Sequence, residues 1–438
     1  MTQEPENIVK KSCLPAGKQL IMGNPFLKVL SIPSFSYLLI SEFFSQFAMN
    51  LLNFTLLIVV FQLSESNTAV AGVVLSFTLP SILFGIIAGV YVDKWNKKHV
   101  LVYTNILRAL AAFPLIFISH ELFFVYVLSF LISLITQFFI PAETPIIPLL
   151  VPKKNLISAN ALFSMGIFGS IIIAYALSGP LLLLFGKTNV FIFITVLFAV
   201  SAVFAYLIRF KYVKPKEKIK INFFEEVRDA FSFMAKKDKV YHSLFLLTLL
   251  QTLILVIAVI GPGYAEDILH IEVEKFPALF VTPAVIGMSI GAILIGNFWH
   301  NKPKQTLAKI GLLIIGIVIL LFPYGYLLTN QETVKNINSF LPSLMSINDV
   351  HIMIVLAIIV GFAFSLVFVP SNTLIQEETT DRQRGKIYGS LNTLVGIVSI
   401  IPILGVGALA DLIGVSKVIT LIGISVIGIA NLRIFKFK

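Results

Sequence analysis

Residues 34–63 read SFSYLLISEFFSQFAMNLLNFTLLIVVFQL, and the only charged side chain among them is Glu42. About 20 apolar residues in a helix are enough to cross the roughly 30 Å hydrocarbon layer of a bilayer. The run exceeds that length, and it is too long for the apolar region of a cleaved signal peptide. Every backbone N–H and C=O in hydrocarbon needs an internal partner, so the run reads as a helix rather than a strand. The rest of the chain repeats the pattern. Of 438 residues, 57% are hydrophobic and 13% charged, with a mean hydropathy of +0.94. Soluble domains run near 45–50% apolar and about 25% charged, and a single core stops growing at about 250–300 residues. The composition therefore implies a polytopic membrane protein and excludes soluble, fibrous and disordered classes.

Eleven further apolar runs bring the expected spans to twelve. They cover Thr68–Val92, Val100–Ser119, Leu122–Ile140, Ile157–Phe185 and Thr188–Ile208, then Tyr241–Tyr264, Phe276–Phe298, Thr306–Leu328, His351–Leu374, Gly385–Ala410 and Leu412–Leu432. Lysines and arginines concentrate on the cytoplasmic side of membrane proteins. Placing the N-terminus there puts Lys10, Lys11, Lys18 and Lys28 inside, with the clusters at 94–98, 153–154, 209–239, 302–309, 382–386 and 433–438. Outside remain Lys187, Lys275, Lys335 and Lys417, while Arg108 falls within a span. Both termini are thus expected in the cytoplasm. The net charge of +11 follows from this topology rather than from nucleic-acid binding. The lone cysteine, Cys13, follows Lys10-Lys11-Ser12 with no apolar run before it, so neither an intrachain disulfide nor a lipoprotein cleavage site is expected.

The expected fold is all-α, with two pseudo-symmetric six-helix bundles over 34–210 and 241–432. A cytoplasmic tail over 1–33, a linker over 211–240 and a tail over 433–438 complete the chain. In the linker, Phe223, Phe224, Val227, Phe231 and Met234 alternate with Glu225, Glu226, Arg228 and Asp229 at helical spacing. This predicts an amphipathic helix, lying on the inner membrane surface or packed on the protein's own cytoplasmic face. An internal repeat supports the two halves: Phe139-Ile140-Pro141-Ala142-Glu143-Thr144 and Phe368-Val369-Pro370-Ser371-Asn372-Thr373 end the fourth and tenth spans, 229 positions apart.

All six histidines fall in loops or at span ends, and no HExxH, phosphate-binding loop or nucleophile elbow occurs. No metal site or cofactor is expected, and active transport by this chain would have to use an ion gradient. Charges inside a membrane are costly and mark function. Glu42 heads a polar stripe with Gln46, Asn50 and Asn53 on one face of the first span, about 12 Å from its cytoplasmic end. A carboxyl held away from water takes up a proton more readily than one in solution, as proton coupling requires. Arg108 reaches a comparable depth in the third span. Glu42 is thus either a coupling site or a permanent partner in an ion pair. The rest of the stripe either lines a cavity or ties helices together, and the same alternatives hold for Gln251, Asn297, Asn392 and Thr393 in the second half. Intramembrane histidines and paired carboxylates are not expected, which disfavours a membrane-embedded enzyme.

The loop Gly89-Val90-Tyr91-Val92-Asp93-Lys94-Trp95-Asn96-Lys97-Lys98 resembles the inner-loop signature of the major facilitator superfamily. Pro141-Ala142-Glu143 through Leu150-Val151-Pro152, Ser158-Ala159-Asn160-Ala161-Leu162, Asn105-Ile106-Leu107-Arg108-Ala109 and Arg384-Gly385-Lys386-Ile387-Tyr388-Gly389 are similar to its macrolide-efflux and enterobactin-exporter branch of drug:proton antiporters. The resemblance implies two bundles that rock around a central cavity. It places Gly89, Asp93, Lys94, Lys97 and Lys98 in an inner gate, with Arg384 and Gly385 in the matching second-half loop, and makes Arg108 a buried coupling or structural arginine. The antiporter signature of the fifth span reads Ala174-Tyr175 where a glycine–proline pair is expected, and keeps only Gly179. The second-half loop Gly296–Lys304 lacks the acid. The expectation is a monomeric inner-membrane transporter, exporting hydrophobic or amphipathic small molecules on the proton gradient. Its partners would be that small-molecule substrate and the lipid bilayer. Movement of lysophospholipid, lipid or another solute is the alternative, and a non-transporting receptor or scaffold is the alternative of another class.

Overall fold

The computed structural model describes residues 25–209, 238–299, 302–325, 349–379 and 381–432, with side chains throughout except at 25, 86, 90, 93, 144, 154, 157, 349 and 381–393. The amphipathic segment 223–234 lies outside the described residues. The main helices are α1 (Pro33–Ser64), α2 (Asn67–Lys94), α3 (Lys97–Ala112, continued by the short helix Leu115–Ile118), α4 (Leu122–Leu150) and α5 (Leu156–Leu207). They are followed by α6 (Asp238–Asp267), α7 (Thr282–Asn297), α8 (Lys304–Leu321), α9 (Asp349–Glu378), α10 (Asp381–Ile413) and α11 (Val415–Asn431).

Ten helical segments among the described residues are long and apolar enough to cross a membrane. This falls short of the twelve expected runs, and two features bear on the difference. α5 is one 52-residue helix broken at Gly186, whose φ of 73° is open to glycine and strained for other residues. α11, at 17 residues, is a shorter apolar helix. Before α7 the chain runs through a 3₁₀ turn, Val273–Lys275, and a π-helical turn, Pro277–Val281.

The fourth span departs from its expected end at Ile140. α4 continues to Leu150 through Pro141, Pro145 and Pro148. Prolines are tolerated in membrane helices because neighbouring groups satisfy the freed carbonyls. The repeat has the same register in the structure: α4 moved by 229 positions would cover 351–379, and α9 covers Asp349–Glu378.

α1 packs on α5, α2 on α4, and α3 on α4 and α5; in the second set, α9 packs on α6, α7 and α8, α8 on α11, and α6 on α10. The two sets meet where α2 lies against α10 and α6, and where α5 meets the 273–281 turns. One apolar core is shared between the sets, joining Leu51–Phe61 and Val70–Val74 to Val259–Ala265 and Val415–Ile419. Toward the other end the cores separate. Val29, Phe35, Phe139 and Ile146 cluster within the first set, and Val240, Leu244, Ile375 and Val395 within the second. Outward-pointing side chains such as Leu184, Ile401 and Leu412 are 78–80% exposed, as a lipid-facing surface requires.

Candidate functional site

Glu42 lies nine residues into α1, Arg108 eleven residues into α3, and Glu143 seven residues before the end of α4. At 1.5 Å per residue all three stand about 10–17 Å from the helix ends on the side of the chain termini. The fold brings them together. Glu42 and Arg108 are each 1% exposed and Glu143 is 7% exposed. The two carboxyl groups and the guanidinium are near enough for their charges to interact. Glu42 Oε1 also accepts from Gln46 Nε2 at 2.8 Å.

Arg108 is held by aromatic faces. Its guanidinium carbon lies 4.1 Å from the centroid of Phe139 and 5.1 Å from that of Phe198, an arrangement in which ring quadrupoles attract the cation. Its Nη2 donates to Asn105 Oδ1 at 3.0 Å. Three buried polar atoms of the cluster have no hydrogen-bond partner: Glu42 Oε2, Glu143 Oε2 and Arg108 Nε. The cluster therefore retains unused capacity to accept and donate.

Glu143 is the residue that sequence reasoning missed. The apolar run of the fourth span stops at Ile140, short of Glu143, and on that reading paired carboxylates are not expected inside the membrane. The structure corrects both points, because α4 runs on and carries Glu143 to Glu42. The signal was present in the repeat, where Glu143 is matched by the neutral Asn372.

The stripe on α1 continues from Glu42 as a hydrogen-bonded chain. Asn50 Nδ2 donates to the Gln46 carbonyl at 2.8 Å, and Tyr175 Oη on α5 donates to Asn50 Oδ1 at 3.2 Å. Tyr175 also packs edge-on against Phe54, with ring centroids 4.3 Å apart. Asn53 and Gln251 are half-buried. The described residues contain no grouping of three or more His, Cys, Asp or Glu side chains that could hold a metal ion. Tyr264, Phe276, Phe280 and Phe322 surround an apolar cavity in the second set of helices, apart from the Glu42 cluster.

The inner-loop residues are placed as follows. Gly89, Asp93 and Lys94 form the end of α2, and Lys97 and Lys98 begin α3 behind the Asn96 cap, whose side chain accepts from the Lys98 N–H at 3.1 Å. Lys98 sits 5.0 Å over the Tyr206 ring of α5. A Cβ added at Gly89 would meet nothing within 4 Å in this arrangement. Asp93 and Arg384 lie in helical backbone, and their side chains are outside the described set, as are those of Asn392 and Thr393.

The opposite end is closed. Asp411, near the end of α10, accepts from Ser66 Oγ at 2.6 Å, the Asn67 N–H at 2.8 Å, Asn67 Nδ2 at 3.1 Å and the Thr68 N–H at 3.0 Å. It thereby caps the N-terminus of α2 from the other set of helices. Gln62 donates to Glu274 nearby. Gly179 comes so close to this turn that an added Cβ would stand 1.7 Å from the Glu274 carbonyl oxygen. Only glycine fits that crossing.

Comparison with known proteins agrees with this architecture. The family model described as Major Facilitator Superfamily matches residues 38–403. YfiS of Bacillus subtilis (strain 168), an uncharacterized MFS-type transporter, is 27% identical over 350 residues, 79% of this chain and 79% of that one. Macrolide efflux protein A of Enterococcus faecalis is 22% identical over 331 residues, covering 73% of this chain and 94% of its own length. Among solved structures, the nucleoside transporter NupG superposes with a TM-score of 0.68 over 92% of this chain and 100% of that chain, at 13% identity, a likeness of fold. Apolar helices throughout, two sets of them meeting through α2, α5, α6 and α10, and a family match running across both sets lead to one conclusion: the chain is a multi-pass membrane protein that belongs to the major facilitator superfamily of transporters.

Proposed function

We propose that this transporter exports amphipathic or hydrophobic small molecules against their gradient, driven by protons entering from outside. In this reading it works as a monomer in the cell (inner) membrane, with both termini cytoplasmic, and uses no cofactor. The observation that carries the proposal is Glu42: a wholly buried acid beside Glu143 and Arg108, at the head of a polar chain through Gln46 and Asn50 to Tyr175. An acid at that depth is costly unless it is used. Proton uptake by the cluster would favour one facing state, and substrate would occupy the path beside the α1 stripe. The lysine and arginine distribution supports the orientation. The relationship to macrolide efflux proteins supports export. Tyr175 stands where the antiporter signature was expected, and its hydroxyl reaches the stripe.

The test uses purified full-length protein in vesicles, with an imposed pH gradient and a fluorescent hydrophobic probe. Wild type should move the probe only while the gradient lasts, and Glu42→Gln should abolish the gradient-driven part. Equal transport by both proteins, or transport indifferent to the gradient, removes Glu42 from coupling.

A further inference from the structure

We infer that Tyr264, Phe276, Phe280 and Phe322 form a binding site for a small uncharged hydrocarbon group, and that its occupant favours closure of the end clasped by Asp411. The site stands in the second set of helices, away from the α1 stripe, and is independent of proton coupling. Phe276 and Phe280, four positions apart through the π-helical turn, stack with centroids 5.0 Å apart and ring planes 10° from parallel. Phe322, just past the end of α8, meets Phe280 edge-on at 5.4 Å and Tyr264 at 5.7 Å. Offset and edge-to-face contacts of this kind hold rings in defined places. Gly261 on α6 gives Phe276 its seat, since an added Cβ there would stand 2.6 Å from the ring. Val360 on α9 and Ile422 on α11 belong to the remaining wall.

The rings enclose a cavity of about 40 Å³, where a single water needs roughly 10–15 Å³. Water is nevertheless a poor occupant, because a buried water needs about two to four polar partners. Tyr264 is the only lining residue with a polar side chain, and its hydroxyl donates to the Phe322 carbonyl at 3.1 Å. Ring faces attract cations, but none of the lining residues is acidic, so a cation would lose its hydration without a countercharge. A hydrocarbon group gives up no hydrogen bond and gains dispersion contacts with all four rings. Two of those rings belong to the turn that meets the first set of helices. Glu274, two residues before Phe276, accepts from Gln62 on α1, and Gly179 of α5 lies against its carbonyl. Movement of α1 and α5 away from this turn frees Phe276 and Phe280 to shift. An occupant held by those rings therefore binds the closed arrangement more tightly, and moves the equilibrium toward it by that difference in affinity.

The experiment uses xenon as the apolar probe, on crystals of the purified full-length protein held under pressure. Wild type should show xenon among the four rings. Ile422→Phe, which fills the cavity from α11, should exclude it; Val360→Leu fills less and serves if thermal melts show that the larger side chain prevents folding. Wild-type crystals with xenon only on the lipid-facing surface, or with none, overturn the site. Closure is read from Val415→Cys in a Cys13→Ser background. Val415 is buried in the core shared by the two sets, so a water-soluble maleimide reaches a thiol there when this end opens. Xenon should slow that labelling several-fold relative to argon at the same pressure, and should have no effect once Ile422→Phe is added. A labelling rate that xenon leaves unchanged overturns the link between the occupant and closure. Neither readout needs a transported substrate.

Discussion

Arg108 brings a full charge into a site from which water is excluded, and the surroundings fix what its removal costs. Breaking a buried ion cluster by deleting one member costs about 3–5 kcal/mol, because the remaining charge is stranded. Arg108→Met should therefore lower the melting temperature sharply. Glu42→Gln placed in the same chain should recover part of the loss, since the remaining acid can then be neutral. Thermal unfolding of the two single variants and the double variant measures this coupling; independent, additive effects would mean that Arg108 does not balance the pair. At this scale the sequence was half legible. Glu42 and Arg108 stood out as charges inside apolar runs. Glu143 did not, since three prolines and an end to the apolar run marked a helix boundary that the helix ignores. The cage of Phe139 and Phe198 around Arg108 joins residues from α4 and α5 to α3. Nothing local in the sequence distinguishes these two rings among 39 phenylalanines.

Helix crossings are set by glycines of two kinds, and a wedge at each should act differently. Gly179 on α5 touches the Glu274 turn across the two sets of helices, whereas Gly361 on α9 faces Ala284 on α7 within one set, where a Cβ would stand 1.8 Å from the carbonyl oxygen. Gly179→Val should yield a folded protein that no longer closes at this end and no longer transports. Gly361→Val should fail earlier, with reduced folded yield, because α7 and α9 belong to one packed body. Size-exclusion profiles and melts, followed by the vesicle assay, separate the two; a Gly179→Val protein that transports normally would show that this crossing need not close. The elements themselves were legible, since apolar runs of span length leave the chain no alternative to helix. Their ends were not. The Asn96 cap and the break at Gly186 depend on one residue each, whereas α4 outruns its apolar segment because its last turns pack on the first bundle's own core through Ala142, Ile146 and Ile147.

The whole molecule is clasped at one end and divided at the other, and the clasp is concentrated in one carboxylate. An acid in the last turn of its own helix is disfavoured by that helix's dipole. Asp411 occupies such a place on α10 and is compensated by the N-terminus of α2, where it takes two backbone N–H groups and two side-chain donors. Gln62, which donates to Glu274, adds a second polar link between the two sets of helices at this end. The shared apolar core lies at this same end, while separate cores lie toward the termini. The sequence contained no sign of which end would be shut: Asp411 and Asn67 are 344 positions apart, and neither belongs to a motif. A carboxylate accepting several charge-assisted hydrogen bonds across a mobile junction is strong enough to bias a two-state equilibrium without fixing it. Asp411→Ala should therefore populate a second arrangement in which this end is open. With Cys13→Ser removing the native thiol, spin labels at Leu63→Cys and Lys417→Cys report the separation across the junction. The expected result is a single short distance in the parent protein and an additional longer one after Asp411→Ala. An unchanged distribution would assign closure of this end to the apolar core alone, with the carboxylate serving only as a helix cap.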